Sequence, residues 1–65
     1  MTHVLKTFER GTSWEVAKEW AQRKADQRMQ NLYVTAWLGL LEVWAEVPEE
    51  YSGSVVKIEA RRQAI

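Results

Sequence analysis

The first segment of the chain alternates between apolar and polar positions with the period of a β-strand. Residues 2–9 place Val4 and Phe8 on one face and Leu5 and Thr7 on the other, and they are rich in β-branched and aromatic types. Because successive side chains of a strand point to opposite faces, we expect a strand over about residues 2–9.

From Trp14 the apolar positions follow a helical period. At 100° per residue they form one stripe, which consists of Trp14, Ala17, Ala21, Ala25, Met29 and Leu32. The three alanines would let the helix lie close against a sheet or another helix. Thr12 and Glu15 have the spacing of a capping box, so we expect the helix to begin at about residue 13.

The sequence allows more than one C-terminal end for this helix. The helical spacing continues to Val43, which would allow a helix capped by Gly39 or one helix over residues 13–47. Against this, residues 32–38 are dense in strand-favouring types, and beyond Gly39 the apolar positions alternate. We favour a helix over about residues 13–31, then a strand over about residues 32–47 that kinks or bulges at Gly39.

A turn and a last strand complete the pattern. Pro48 and the Ser52-Gly53-Ser54 run break the preceding strand, and Val56 and Ile58 then alternate with polar positions. The last strand is expected over about residues 54–62. The sequence therefore predicts an α+β fold of order β-α-β-β in a single domain, with a three-stranded antiparallel sheet and one amphipathic helix packed across it.

Composition and charge narrow the classes of function. The chain has 65 residues, no cysteine and one histidine, so neither disulfides nor a histidine-cysteine metal site can reinforce its small core. Nine basic and nine acidic residues cancel, which gives no general attraction to nucleic acid or to a membrane surface. We expect a cytoplasmic protein that self-associates and binds neither nucleic acid nor membranes.

Titratable groups that could perform catalysis are scarce. His3 has no evident Asp or Cys partner, so a nucleophile–base pair is not indicated and we expect no enzyme activity. Glu42 and Glu46 lie four residues apart on one strand face, and with Glu49 and Glu50 they form either a solvated acidic edge or a cation site at a subunit boundary.

The four tryptophans and two tyrosines are the unusual feature of the composition. Trp37 and Trp44 project from the long strand, and if Trp37 faces like Tyr33, then Val34 faces the other way. Outward aromatic side chains can stack on a planar ligand or pack against symmetry mates. As an alternative, the chain is a small protein-interaction module, an inhibitor or adaptor, with Val16, Trp20 and Trp44 as anchors.

Several short motifs accompany the predicted element order. They are Val4-Leu5-Lys6, Gly11-Thr12-Ser13, Ser13-Trp14-Glu15, the helical alanines, Asn31-Leu32-Tyr33-Val34 and Tyr51. With the β-α-β-β order, these motifs resemble the dodecin family over nearly the whole chain. The resemblance implies small subunits that form a hollow dodecamer, which binds and stores a ligand and is not an enzyme.

The resemblance also implies where a ligand would bind. Flavin-binding members of the family stack flavins on a tryptophan early in the second strand, a position that matches Val34. A glutamine that helps to hold the ring matches Ser52. We therefore expect a homo-oligomer that sequesters a small planar ligand, with flavin as the candidate, at subunit junctions. The candidate ligand-binding residues are Trp37, Tyr33, Val34, Trp44 and Ser52.

Overall fold

A computed structural model describes residues 4–61 of the chain. One helix packs across one face of a four-stranded antiparallel sheet whose strands lie in the order β1-β3-β2-β4. The elements are β1 (Val4–Thr7), α1 (Trp14–Arg28), β2 (Leu32–Trp37), β3 (Leu40–Trp44) and β4 (Ser54–Ile58). The α+β class and the helix across the sheet are confirmed, whereas the expected strand count of three is wrong.

The fourth strand arises because the segment expected to be one kinked strand over residues 32–47 is a hairpin of two strands that ends at Trp44. Leu38 and Gly39 form its two-residue turn, and both have positive φ, 51° and 80°. Two positive φ values reverse the chain as a type I′ turn does, which Gly39 permits without steric cost. The strand interpretation of residues 32–37 is confirmed, and one helix over residues 13–47 is excluded.

The last strand pairs with β2, so β2 and β3 form the centre of the sheet and β1 and β4 form its edges. It ends at Ile58, before the expected end at about residue 62. Position 62 and His3 lie outside the described residues.

Both ends of α1 differ from the expectation by one to three residues. Ser13 is the N-cap, and its hydroxyl accepts from the backbone N–H of Val16 at 3.3 Å. The capping box of Thr12 with Glu15 is therefore wrong, because the third helical residue is Val16. The helix ends at Arg28 because Met29 adopts the left-handed conformation, with φ 53°, and its N–H bonds to the carbonyl of residue 25.

A β-bulge changes the face of one residue in β1. Val4 pairs with Trp44, but the register shifts before Lys6, so two residues of β1 oppose one residue of β3. Leu5 and Phe8 consequently pack on the helix side, while Val4 lies on the opposite side. The expectation that Val4 and Phe8 share a face is wrong for this reason.

The core lies between α1 and the sheet. Ala17, Ala21 and Ala25 are completely buried, which confirms the close approach expected from the alanine stripe. Because alanine side chains are short, the helix rests directly on the central strands. The core consists of these alanines with Phe8, Leu32, Val34, Leu41, Val43 and Ile58.

A polar clamp joins α1 to the chain after β4. The carboxylate of Asp26 accepts from the backbone N–H of Arg61 at 2.8 Å and from its guanidinium at 2.8 Å and 3.2 Å. Gln22 donates to Asp26 and to the carbonyl of Glu59. The hydrogen bonds from Arg61 lower the pKa of Asp26 to about 2.

This clamp predicts a loss of stability in acid. Because the pKa of Asp26 is lower in the folded chain than its ordinary value of 3.8, its contribution is present above pH 4 and is lost as the pH falls towards 2. Asp26→Asn is expected to flatten the decrease in the free energy of unfolding across this window, measured by urea denaturation at several pH values. Arg61→Met should move the pKa of Asp26 back towards 3.8, as followed by NMR. An unchanged acid dependence in Asp26→Asn would contradict the assignment.

Candidate functional site

The face of the sheet opposite α1 carries aromatic side chains at its centre. Tyr33 lies opposite Trp44 in the β2–β3 register, Thr35 opposite residue 42, and Trp37 opposite Leu40. Since the alternate residues of β2 are buried under the helix, this confirms that Trp37 shares a face with Tyr33 and Thr35. We call this surface the helix-free face.

Trp44 covers the middle of the helix-free face. Its indole N–H donates to the hydroxyl of Thr35 at 2.9 Å, and that hydroxyl lies 3.4 Å from the carbonyl oxygen of Glu42, to which it donates. Thr35 is completely buried although it faces away from the helix. The Trp44 indole is therefore anchored to the sheet and covers Thr35, so little of its surface is available to a ligand.

The chain between β3 and β4 folds back over the same face and brings Tyr51 against Trp44. The two rings meet edge to face with centroids 6.0 Å apart. Tyr51 also packs on Gly53, where an added Cβ would lie 2.7 Å from the Tyr51 ring and would clash with the carbonyl oxygen of Ala36. Among residues 4–61 the buried Tyr51 hydroxyl has no hydrogen-bond partner. The Tyr51 ring is thus held by packing, while the backbone N–H of Tyr51 donates to the Pro48 carbonyl at 3.1 Å.

A cleft of about 380 Å³ lies between the end of β2 and this fold-back; we call it the Trp37 cleft. Its lining consists of Trp37, Pro48, Glu50, Tyr51 and Ser52. The Trp37 side chain is 49% exposed, which is unusual for the largest apolar residue type. The walls are an indole, a phenol ring and a proline ring, while Glu50 and Ser52 supply a carboxylate and a hydroxyl.

The structure brings together only part of the expected ligand-binding set. Trp37 and Ser52 meet in the Trp37 cleft, and Tyr33 and Trp44 lie on the same face. Val34 is 0% exposed beneath the helix, so its assignment as a ligand-binding residue is wrong. Because successive residues of β2 point to opposite faces, the Val34 side chain points into the core.

The site also contains residues that the sequence did not assign to it: Pro48, Glu50 and Tyr51. Pro48 was identified only as a turn residue, and Tyr51 only as a family motif. The separation between Trp37 and Tyr51 along the chain carries no periodic signal, so only the fold-back joins them.

The expected interface residues do not form one surface. Val16 is 52% exposed on α1, whereas Trp44 lies on the helix-free face. Trp20 packs edge to face against Phe8 with ring centroids 6.1 Å apart, and the ammonium of Lys24 lies 5.6 Å from its ring centre. Trp20 therefore packs at the edge of the core, and Trp44 lies on the opposite side of the sheet from Val16 and Trp20.

Residues 4–61 contain neither a metal-binding cluster nor a membrane-spanning helix. No group of three or more histidine, aspartate or glutamate side chains there could hold a metal ion. No helix in that range has the length and apolar character required to cross a membrane. Comparison of the chain with protein-family models, with curated proteins and with solved structures finds no match.

Proposed function

We propose that this chain is a non-catalytic binding protein that holds a small planar ring against Trp37, at a junction between copies of the chain. The observation that carries the proposal is the half-exposed indole of Trp37 in a cleft whose other walls are Pro48 and Tyr51. Ligand sites are typically concave, mostly apolar and furnished with a few polar groups. Glu50 and Ser52 supply such groups at this cleft.

The walls of the Trp37 cleft are formed before any ligand arrives. Trp37 is fixed at the end of a central strand opposite Leu40, and Tyr51 is held between Trp44 and Gly53. Binding therefore does not have to move the Trp37 backbone or order the Tyr51 ring, which lowers its entropic cost. The family resemblance makes the flavin ring the candidate ligand, with Trp37 in the stacking role that Val34 cannot fill.

Trp37→Ala is expected to weaken riboflavin binding about tenfold, because stacking on one aromatic face contributes about 1–3 kcal/mol. Isothermal titration calorimetry would measure the Kd of both chains. Trp20→Phe is the matched control, since Trp20 lies on the helix side against Phe8 and its replacement should leave the Kd unchanged. Equal riboflavin affinity in Trp37→Ala and the native chain would refute the stacking role.

The proposal includes a second copy of the chain over the hairpin turn. Leu38 is 71% exposed there in a left-handed conformation that branched apolar side chains rarely adopt. The guanidinium of Arg10 donates to the Leu38 carbonyl at 2.9 Å, so a positive charge flanks the turn, while Glu50 flanks the neighbouring cleft. A second copy packed on this turn would cover both Leu38 and the open side of a bound ring.

Leu38→Asn is expected to shift the native assembly towards monomer, as measured by native mass spectrometry. The change should leave thermal stability equal or raise it, because asparagine tolerates the left-handed conformation of this turn. Val16→Gln, which alters an exposed apolar residue on α1, is the control that should leave assembly intact. A mass of twelve subunits would support a dodecin-like assembly, and a monomeric native chain would refute self-association.

A further inference from the structure

We infer that the Trp37 cleft selects planar rings that carry a positive charge, an inference that rests on the proposed function. The lining of the cleft contains one charged residue, Glu50, and neither lysine nor arginine. Its aromatic walls, Trp37 and Tyr51, are the ring types whose electron-rich faces attract cations. The negative charge at the cleft and its aromatic walls therefore both favour a cationic ring.

The segment of the chain around the cleft is also negatively charged. Residues 45–53, which fold over the cleft, contain Glu46, Glu49 and Glu50 and no basic residue. Neither Arg10, which donates to the Leu38 carbonyl, nor Lys57, which lies on β4 opposite Tyr33, lines the cleft. A ring that carries a phosphate or carboxylate would bring like charges together at Glu50, which costs binding free energy.

A second hollow on the helix side has the opposite character. Its volume is about 300 Å³, and its lining combines apolar and basic residues, which are Leu5, Trp20, Lys24, Gln27 and Arg28. Anionic ligands that bind the chain would meet favourable charge there and not at the Trp37 cleft. The molecule thus has two aromatic surfaces of opposite charge, and a cation is directed to the one that contains Trp37.

The test compares three ligands that share one ring system: N-methylacridinium, acridine and acridine-9-carboxylate. Isothermal titration calorimetry at low ionic strength and mildly alkaline pH, where acridine is neutral, would give their affinities. We expect the cation to bind about 5–30-fold more tightly than neutral acridine, from an exposed cation–π contact and one surface ion pair. The carboxylate should bind most weakly.

Two glutamate variants separate charge from shape. Glu50→Gln is expected to weaken N-methylacridinium binding about two- to fivefold and to leave acridine binding unchanged. Glu49→Gln removes the same charge one residue away, outside the lining of the cleft, and should have the smaller effect. Added salt should reduce the preference for the cation in the native chain and not in Glu50→Gln.

The outcomes distinguish the two proposals. Equal binding of the three rings, with all three weakened by Trp37→Ala, would overturn charge selection and leave ring binding at Trp37 in place. Tightest binding of the carboxylate would overturn charge selection as well. Absence of binding by every ring, or binding that Trp37→Ala does not alter, would overturn the proposed function and this inference together.

Discussion

Trp44→Ala is expected to lower the free energy of unfolding by about 3 kcal/mol, the low end of the range for replacing a large aromatic core residue, because the indole is only partly buried. Three interactions are lost together. The indole no longer covers Thr35, its N–H no longer bonds to the Thr35 hydroxyl at 2.9 Å, and the edge contact with Tyr51 disappears. Water would then reach the centre of the helix-free face.

Urea denaturation followed by circular dichroism would measure this loss. Trp37→Ala is the matched control, because the same residue type is replaced on the same face but its side chain is half exposed; the expected cost is below about 1 kcal/mol. Trp44→Phe should fall between the two, since it keeps a ring and loses the hydrogen bond. Equal costs for the two alanine variants would refute the separation of a structural Trp44 from a ligand-facing Trp37.

Gly53→Ala is expected to cost about 2 kcal/mol, in the range of overpacked sites. The new Cβ would clash with the Ala36 carbonyl oxygen and lie 2.7 Å from the Tyr51 ring. The ring can move, but the carbonyl belongs to a central strand and cannot move without disturbing its pairing. The variant should therefore displace Tyr51 and also weaken ring binding in the Trp37 cleft.

Thermal unfolding and riboflavin titration of the same variant would test both effects. Ser52→Ala is the neighbouring control, expected to change stability by less than about 0.5 kcal/mol because its side chain is exposed. Tyr51→Phe removes a buried hydroxyl that has no partner within residues 4–61, so it should leave stability unchanged or raise it. A fully stable Gly53→Ala chain with an unchanged Kd would contradict the packing described for Tyr51.

The spacing of apolar residues correctly predicted the buried face of α1 and the two faces of β2. The alanine stripe of α1 is buried as its 3.6-residue spacing requires, and the parity of β2 correctly separates Trp37 from Val34. The hairpin was missed because a leucine in a left-handed turn position runs against its intrinsic preference, so Leu38-Gly39 resembled a bulge. The β-bulge at Lys6 was missed for a related reason, since one extra residue inverts the expected parity.

The candidate site was predicted less completely than the fold. Trp37 stood out because tryptophans are rare and its strand parity points outward. Glu50 and Tyr51 could not be assigned, because their position depends on a non-repetitive fold-back whose course is set by contacts with Gly53 and Trp44. Such contacts follow no regular spacing along the chain, so a single sequence does not reveal them.

The position of Tyr51 links the cleft to the edge of the sheet. Its ring rests on Gly53, one residue before β4, and beside the Ala36 carbonyl of β2. If β4 separates from β2, the Tyr51 ring loses its packing against Gly53, and the cleft loses that wall. A molecule bound in the cleft would therefore slow amide hydrogen exchange along β4, because local opening of that strand would require the molecule to leave. Of the two edge strands, β4 would therefore be the one that an occupied cleft stabilises.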